Sequence, residues 1–142
     1  MEQFGSFVLN HWELFLALSV ILGMLAATGM GAGLAGIHQV DPVRAIQLIS
    51  HEGAVVLDVR ELEEYRQGHV LNSVHIPLAQ LRNDAKPLQK HRSKPIITVC
   101  RSGARSLQAG RLLRQHGFDT VYNLKGGIQA WRSANLPVSS KG

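Results

Sequence analysis

The 142-residue chain contains one cysteine, Cys100, and that scarcity excludes several chemistries. A single thiol can form neither an intramolecular disulfide nor a Cys-x-x-Cys redox pair. Structural zinc sites need two or more thiolates or a cysteine–histidine cluster, and the seven histidines show no metal-ligand spacing. Positive charge is missing from a whole region. Residues 1–37 carry Glu2 and Glu13 but no Lys or Arg. A cleaved signal peptide needs a basic leader, so that reading is disfavoured. All fifteen Lys and Arg lie from Arg44 onward, against eight acids after residue 37, a side-chain balance of +7 for residues 38–142. They are scattered among acids and apolar positions with no basic run. They read as a solvated face that draws small anions, not as a nucleic-acid site.

Charge is absent altogether from Leu14 to Ile37, 24 residues with only Ser19 and Thr28 as polar side chains. As a helix this run reaches about 36 Å, enough to cross a hydrocarbon core of about 30 Å with some tilt. The expected organisation is a short leader over 1–13, a transmembrane helix over 14–37 and one domain over 38–142. His11 and Trp12 flank the span, where an interfacial aromatic belongs. The Lys/Arg bias orients a single-pass protein with its domain in the cytoplasm, at the inner membrane if the source is bacterial. One thiol without a disulfide framework fits that reducing compartment. Gly31 to Gly36 matches G-x-G-x-x-G, but no strand precedes it, so a dinucleotide site is rejected. Gly29-x-x-x-Gly33 offers a close-packing face to a second membrane helix, or merely tolerated glycines; no dimer follows from it.

From Asp41 the pattern becomes that of an α/β domain. Asp41-Pro42 starts a helix that ends near Gly53. Ala54 to Val59 is an apolar run typical of a strand buried on both faces. Short helices are expected at Glu61–Arg66, Leu78–Arg82 and Pro87–His91, with a strand at Val74–Ile76. Ile96–Val99 reads as a strand, Ala104–His116 as a helix and Thr120–Leu124 as a strand. The last helix is Gly127–Ala134. Alternating strands and helices imply a mainly parallel sheet flanked by helices, with its ligand crevice at the carboxyl ends of the strands.

Cys100 falls at such an end. Ile96-Ile97-Thr98-Val99 leads into the thiol, and Arg101-Ser102-Gly103-Ala104-Arg105-Ser106 follows it. A small buried hydrophobe is the ordinary role of a lone cysteine, but such a residue has no need of two nearby arginines. Free N–H groups at the helix start, with Arg101 and Arg105, favour the nucleophilic thiolate.

Three blocks together resemble the rhodanese family of sulfurtransferases, over about Asp41 to Val138. The first is Val56-Leu57-Asp58-Val59-Arg60 with Glu64-Tyr65 and Gly68-His69-Val70. The second is Val99 to Ser106. The third comprises Gly117-Phe118, Val121-Tyr122-Asn123-Leu124, Gly126-Gly127-Ile128 and Ala130-Trp131. The resemblance implies a rhodanese-like domain whose Cys100 takes a sulfane sulfur from a small anion such as thiosulfate. The resulting persulfide would pass that sulfur to cyanide or a thiol, without a metal or cofactor. It also implies donor binding by Arg101, Ser102, Gly103, Ala104 and Arg105. Asp58 and Arg60 are expected to support neighbouring loops, and His69 and Trp131 to pack. The related phosphatases and arsenate reductases have a loop one residue longer than Cys100-x4-Arg105, which disfavours phosphoryl chemistry. The alternative is a membrane-anchored interaction module that keeps the fold with little activity; degenerate domains of that kind commonly lose the cysteine or the loop arginines.

Overall fold

The structure is a computed structural model that describes residues 2–34 and 36–141, without the side chains of 28–34. The chain divides into two compact units, residues 1–34 and 35–142.

The first unit is two helices, α1 (Glu2–Asn10) and α2 (Trp12–Leu34). Among the described residues no single helix is long and apolar enough to cross a membrane. Glu2–Asn10 and Trp12–Ala27 pass that test together, bent by 73° at their junction. The Gly29-x-x-x-Gly33 pattern lies outside the described side chains. Ile37, expected as the last residue of a span, instead opens strand β1 (Ile37–Val40). Its side chain is 6 % exposed and belongs to the core of the second unit. An uncharged isoleucine reads equally well as the end of an apolar helix, and only its pairing partner Val121 distinguishes the two.

The second unit is a five-stranded parallel sheet in the order β1-β6-β5-β2-β4. Its strands after β1 are β2 (Val55–Asp58), β4 (Val74–His75), β5 (Ile96–Val99) and β6 (Val121–Leu124). A separate antiparallel pair joins β3 (His69–Val70) to β7 (Val138–Ser139). The helices are α3 (Pro42–Glu52), α4 (Leu62–Arg66), α5 (Leu78–Asn83), α6 (Ala104–Gln115) and α7 (Gly127–Ser133), with a 3-10 turn over Lys86–His91. Asp41 caps α3 by accepting the Arg44 N–H at 2.7 Å, as its position before Pro42 predicts.

β5 is central and buried throughout. Its side chains alternate between two cores, as strand geometry requires. Ile96 and, just beyond the strand, Cys100 join Leu57, Leu113, Phe118 and Val121 on one face. Ile97 and Val99 join Leu48, Val56, Leu124 and Trp131 on the other. The chain order β5, Cys100, α6 therefore sets the thiol at the carboxyl edge of the sheet. Asp58, the last residue of β2, lies in register with Val99, so the β2 and β5 exits are neighbours.

Candidate active site

The loop from Cys100 to Gly103 links β5 to α6. Gly103 is the residue before the helix, with φ 113°, a conformation that side-chain-bearing residues rarely adopt. That turn aims the Gly103 N–H at Cys100 Sγ, 2.9 Å away. The Ser106 hydroxyl lies 3.4 Å from the same sulfur. Cys100 is only 1 % exposed, and burial pushes its thiol up. Hydrogen bonds from the Ser106 hydroxyl and from the N–H groups of Ser106, Gly103 and Ser102 outweigh burial, so the net shift is downward.

Of the aids expected from the sequence, the N–H groups at the helix start together lead and are joined by the Ser106 hydroxyl, with the Arg105 charge adding a smaller attraction. Arg105 is engaged elsewhere. Its two terminal nitrogens donate to both carboxylate oxygens of Glu64, at 2.7 and 2.8 Å. The Arg105 bond, opposed by partial burial and helped by the Glu61 N–H, lowers Glu64 from 4.5 to about 2. The same bond raises Arg105, with a smaller attraction to the Cys100 charge. Both side chains remain about one-third exposed, 35 % and 30 %, so the pair chiefly positions the α4 and α6 ends. Among the described residues Arg101 has no carboxylate partner and is the loop cation left for a ligand.

Asp58 and Arg60 form a buried fork. Arg60 Nε donates to both Asp58 oxygens at 3.0 Å, and its Nη2 donates to Oδ2 and to the Gly68 carbonyl, each at 2.7 Å. The pair ties the β2 exit to the turn before β3. His75 Nε2 donates to the Arg60 carbonyl at 2.8 Å, and Tyr65 stacks between His69 and His75. These groups hold backbone around the site. Trp131 is buried, with its indole N–H on the Pro137 carbonyl at 3.0 Å.

Three contributors were not singled out from the sequence. Glu64 holds Arg105. Asn123, on β6, accepts the Ser106 hydroxyl and donates through Nδ2 to the Gly103 carbonyl at 3.2 Å. Gly127 lets α7 press on the loop, where the Ile128 N–H donates to the Cys100 carbonyl at 2.8 Å. All three lie inside the sequence blocks quoted above, but block membership alone does not say which neighbour each one meets.

The family model for the rhodanese-like domain matches residues 41–134. The chain belongs to the rhodanese-like family. YibN of Escherichia coli strain K12 is 30 % identical to it over 139 residues, 97 % of each chain. The thiosulfate sulfurtransferase GlpE of Coxiella burnetii is 31 % identical over 101 residues, covering 71 % of this chain and 92 % of GlpE. Among solved structures, a rhodanese-related protein of Thermoplasma volcanium superposes with a TM-score of 0.66 at 33 % identity, over 73 % of this chain and 99 % of that one. The rhodanese-like fold and its parallel sheet are thus those expected from the three blocks.

In this rhodanese-like site the Ser106 proton has three acceptors in reach, and an anionic sulfur is the strongest of them. Ser106→Ala should therefore raise the thiol's titration midpoint. At neutral pH the thiolate fraction falls, and alkylation by iodoacetamide slows by up to about tenfold. A rate–pH profile of the variant superimposable on that of the parent would refute this role for Ser106.

Proposed function

We propose that the chain is a sulfurtransferase held at a membrane by its N-terminal helices, with Cys100 as the persulfide-forming nucleophile. The observation that carries the chemistry is the Gly103 N–H pointing at Cys100 Sγ from 2.9 Å, at the exit of the central strand. A thiolate so placed attacks the outer sulfur of a donor such as thiosulfate. The new bond is Sγ–S, the S–S bond of the donor breaks, and sulfite leaves with the bonding pair. The same N–H groups that favour the thiolate then face a persulfide anion, and Arg101 meets the oxyanion end of the donor. An external thiolate or cyanide removes the outer sulfur and returns Cys100 to its starting state, a two-step covalent cycle.

The membrane part rests on α1 and α2. Leu14, Phe15, Leu16 and Val20 are all exposed, on several sides of α2. Ser19 satisfies its hydroxyl on the Phe15 carbonyl at 2.8 Å, the arrangement a lipid-facing serine needs. The likeness to YibN, at 97 % of each chain, takes in this segment. With every Lys and Arg after Arg44, the catalytic domain faces the cytoplasm.

Purified full-length protein in detergent, treated with thiosulfate and desalted, should gain one sulfur by intact mass and lose it to cyanide. Failure to load from several sulfane donors would overturn the enzyme reading. In cells, the chain should stay in the membrane pellet after an alkaline carbonate wash; release into the supernatant would remove the tether.

A further inference from the structure

Beside the Cys100 loop lies a cavity of about 270 Å³ whose polar walls are Arg60, Glu64, Gln67, Arg101, Gln129 and Arg132. Two of its charged groups are already matched. Arg60 is paired with Asp58 at 2.7 Å, and Glu64 with Arg105 at 2.7 Å. Arg101 and Arg132 have no carboxylate partner among the described residues, so the cavity presents two unneutralised cations. Among the described residues Arg132 makes two hydrogen bonds, both long, from Nη2 at 3.5 Å to the carbonyls of Gln67 and Gly68. A guanidinium has five N–H donors, so most of those of Arg132, which is exposed and lines the cavity, are left for a ligand or solvent. Its seat is tight: a Cβ on Gly68 would lie 2.6 Å from Arg132 Nη2.

Size and position narrow the occupant. The volume is below the range for drug-sized ligands, which suits the tail of a small molecule. Cys100 does not line the cavity, whereas its neighbour Arg101 does. In thiosulfate the reacting sulfur is bonded directly to the oxyanion, so both stay at the loop. A ligand that spans loop and cavity must carry its anion several bonds from its sulfur. Gln67 and Gln129 add amide donors and acceptors that complement a peptide-like group.

We propose that this cavity is the acceptor subsite, where Arg132 and Arg101 hold the carboxylate of a small, amide-bearing thiol while its sulfur reaches the Cys100 persulfide. The proposal rests on the sulfurtransferase reading above. In the step, the acceptor thiolate attacks the outer sulfur, a new acceptor S–S bond forms, and the Sγ–S bond breaks. The electron pair stays on Cys100 as thiolate, and the outer sulfur leaves with the acceptor as its persulfide anion. No external oxidant or reductant is needed.

The test uses the sulfur-loaded full-length chain, freed of donor and mixed with N-acetylcysteine or its neutral amide. Return to the unmodified mass is followed by quenched mass spectrometry, with rates compared per thiolate. The parent should prefer the carboxylate by about tenfold or more. Arg132→Gln should bring the two acceptors within about twofold, with thiosulfate loading unchanged. Equal rates in the parent, or an undiminished preference in the variant, would overturn the subsite. Failure to load sinks the sulfurtransferase reading instead. The cavity is then judged by binding of N-acetylalanine, which has the carboxylate and amide but no thiol. Saturable binding weakened at least about fivefold in Arg132→Gln supports an anion subsite, and no binding to the parent refutes it.

Discussion

Cys100→Ser is expected to abolish sulfur uptake while leaving the fold intact. The substitution changes one atom in a residue that is 1 % exposed, and the serine oxygen can still accept the Gly103 N–H. Stability should therefore change by about 1 kcal/mol or less. The chemistry changes far more. A thiol with its pKa lowered by surrounding N–H donors and Ser106 supplies more thiolate at a given pH than a free cysteine, whereas a serine hydroxyl there stays protonated. The loading rate should drop by at least about a thousandfold, as for other removed nucleophiles. Because Cys100 is the only cysteine, no second thiol can take over or trap the persulfide as an internal disulfide. Sulfur must leave to an external acceptor. Intact mass before and after thiosulfate, on parent and variant, reads all of this. One sulfur gained by the serine variant would place the chemistry elsewhere.

Gly127→Ala should be the most damaging single methyl in the domain. Gly127 has φ 58°, and a Cβ there would sit 2.3 Å from the Cys100 carbonyl oxygen and 2.6 Å from that of Arg101. Both obstacles are backbone, with no flexible side chain to swing away. The same carbonyls accept the N–H groups of Ile128 at 2.8 Å and Gln129 at 3.4 Å. Relief of the clash therefore means parting α7 from the loop and losing those bonds. Left-handed strain plus two lost hydrogen bonds amounts to about 3 kcal/mol or more. The melting temperature should fall by more than about 10 °C. Sulfur loading should fall with it even below the melt, because a displaced Cys100–Arg101 peptide carries the Gly103 N–H away from Sγ. A variant that melts within a few degrees of the parent and loads normally would show that the loop does not depend on this contact.

Local patterns made much of the domain legible. Asp41-Pro42 marks its helix start because a cap side chain and a fixed φ act within one turn. The runs at Val55 and Ile96 mark buried strands because a two-sided core demands continuous apolar sequence. Cys100 stands out because the strand before it and the glycine-bearing loop after it are contiguous in sequence. The short antiparallel pair β3–β7 was not legible, since His69 and Ser139 meet only after the domain has closed. Ile37 reads as the end of the apolar run before it until its partner Val121 is in place.

The same division runs through the site. The sequence alone singled out Cys100, its place at a strand exit and the glycine turn beside it, because each depends on residues within a few positions. Only tertiary structure decided how those groups are paired. A long arginine is claimed by whichever carboxylate the fold brings near, and Arg105 meets Glu64, 41 positions earlier in the chain. Ser106 and Asn123, 17 positions apart, meet because β6 lies beside β5. Of the two aids to the thiolate expected from the sequence, the Arg105 charge is shared with Glu64, while the backbone N–H groups together lead and are joined by Ser106. Those donors take their direction from φ and ψ within the packed loop, and packing is a property of the whole domain.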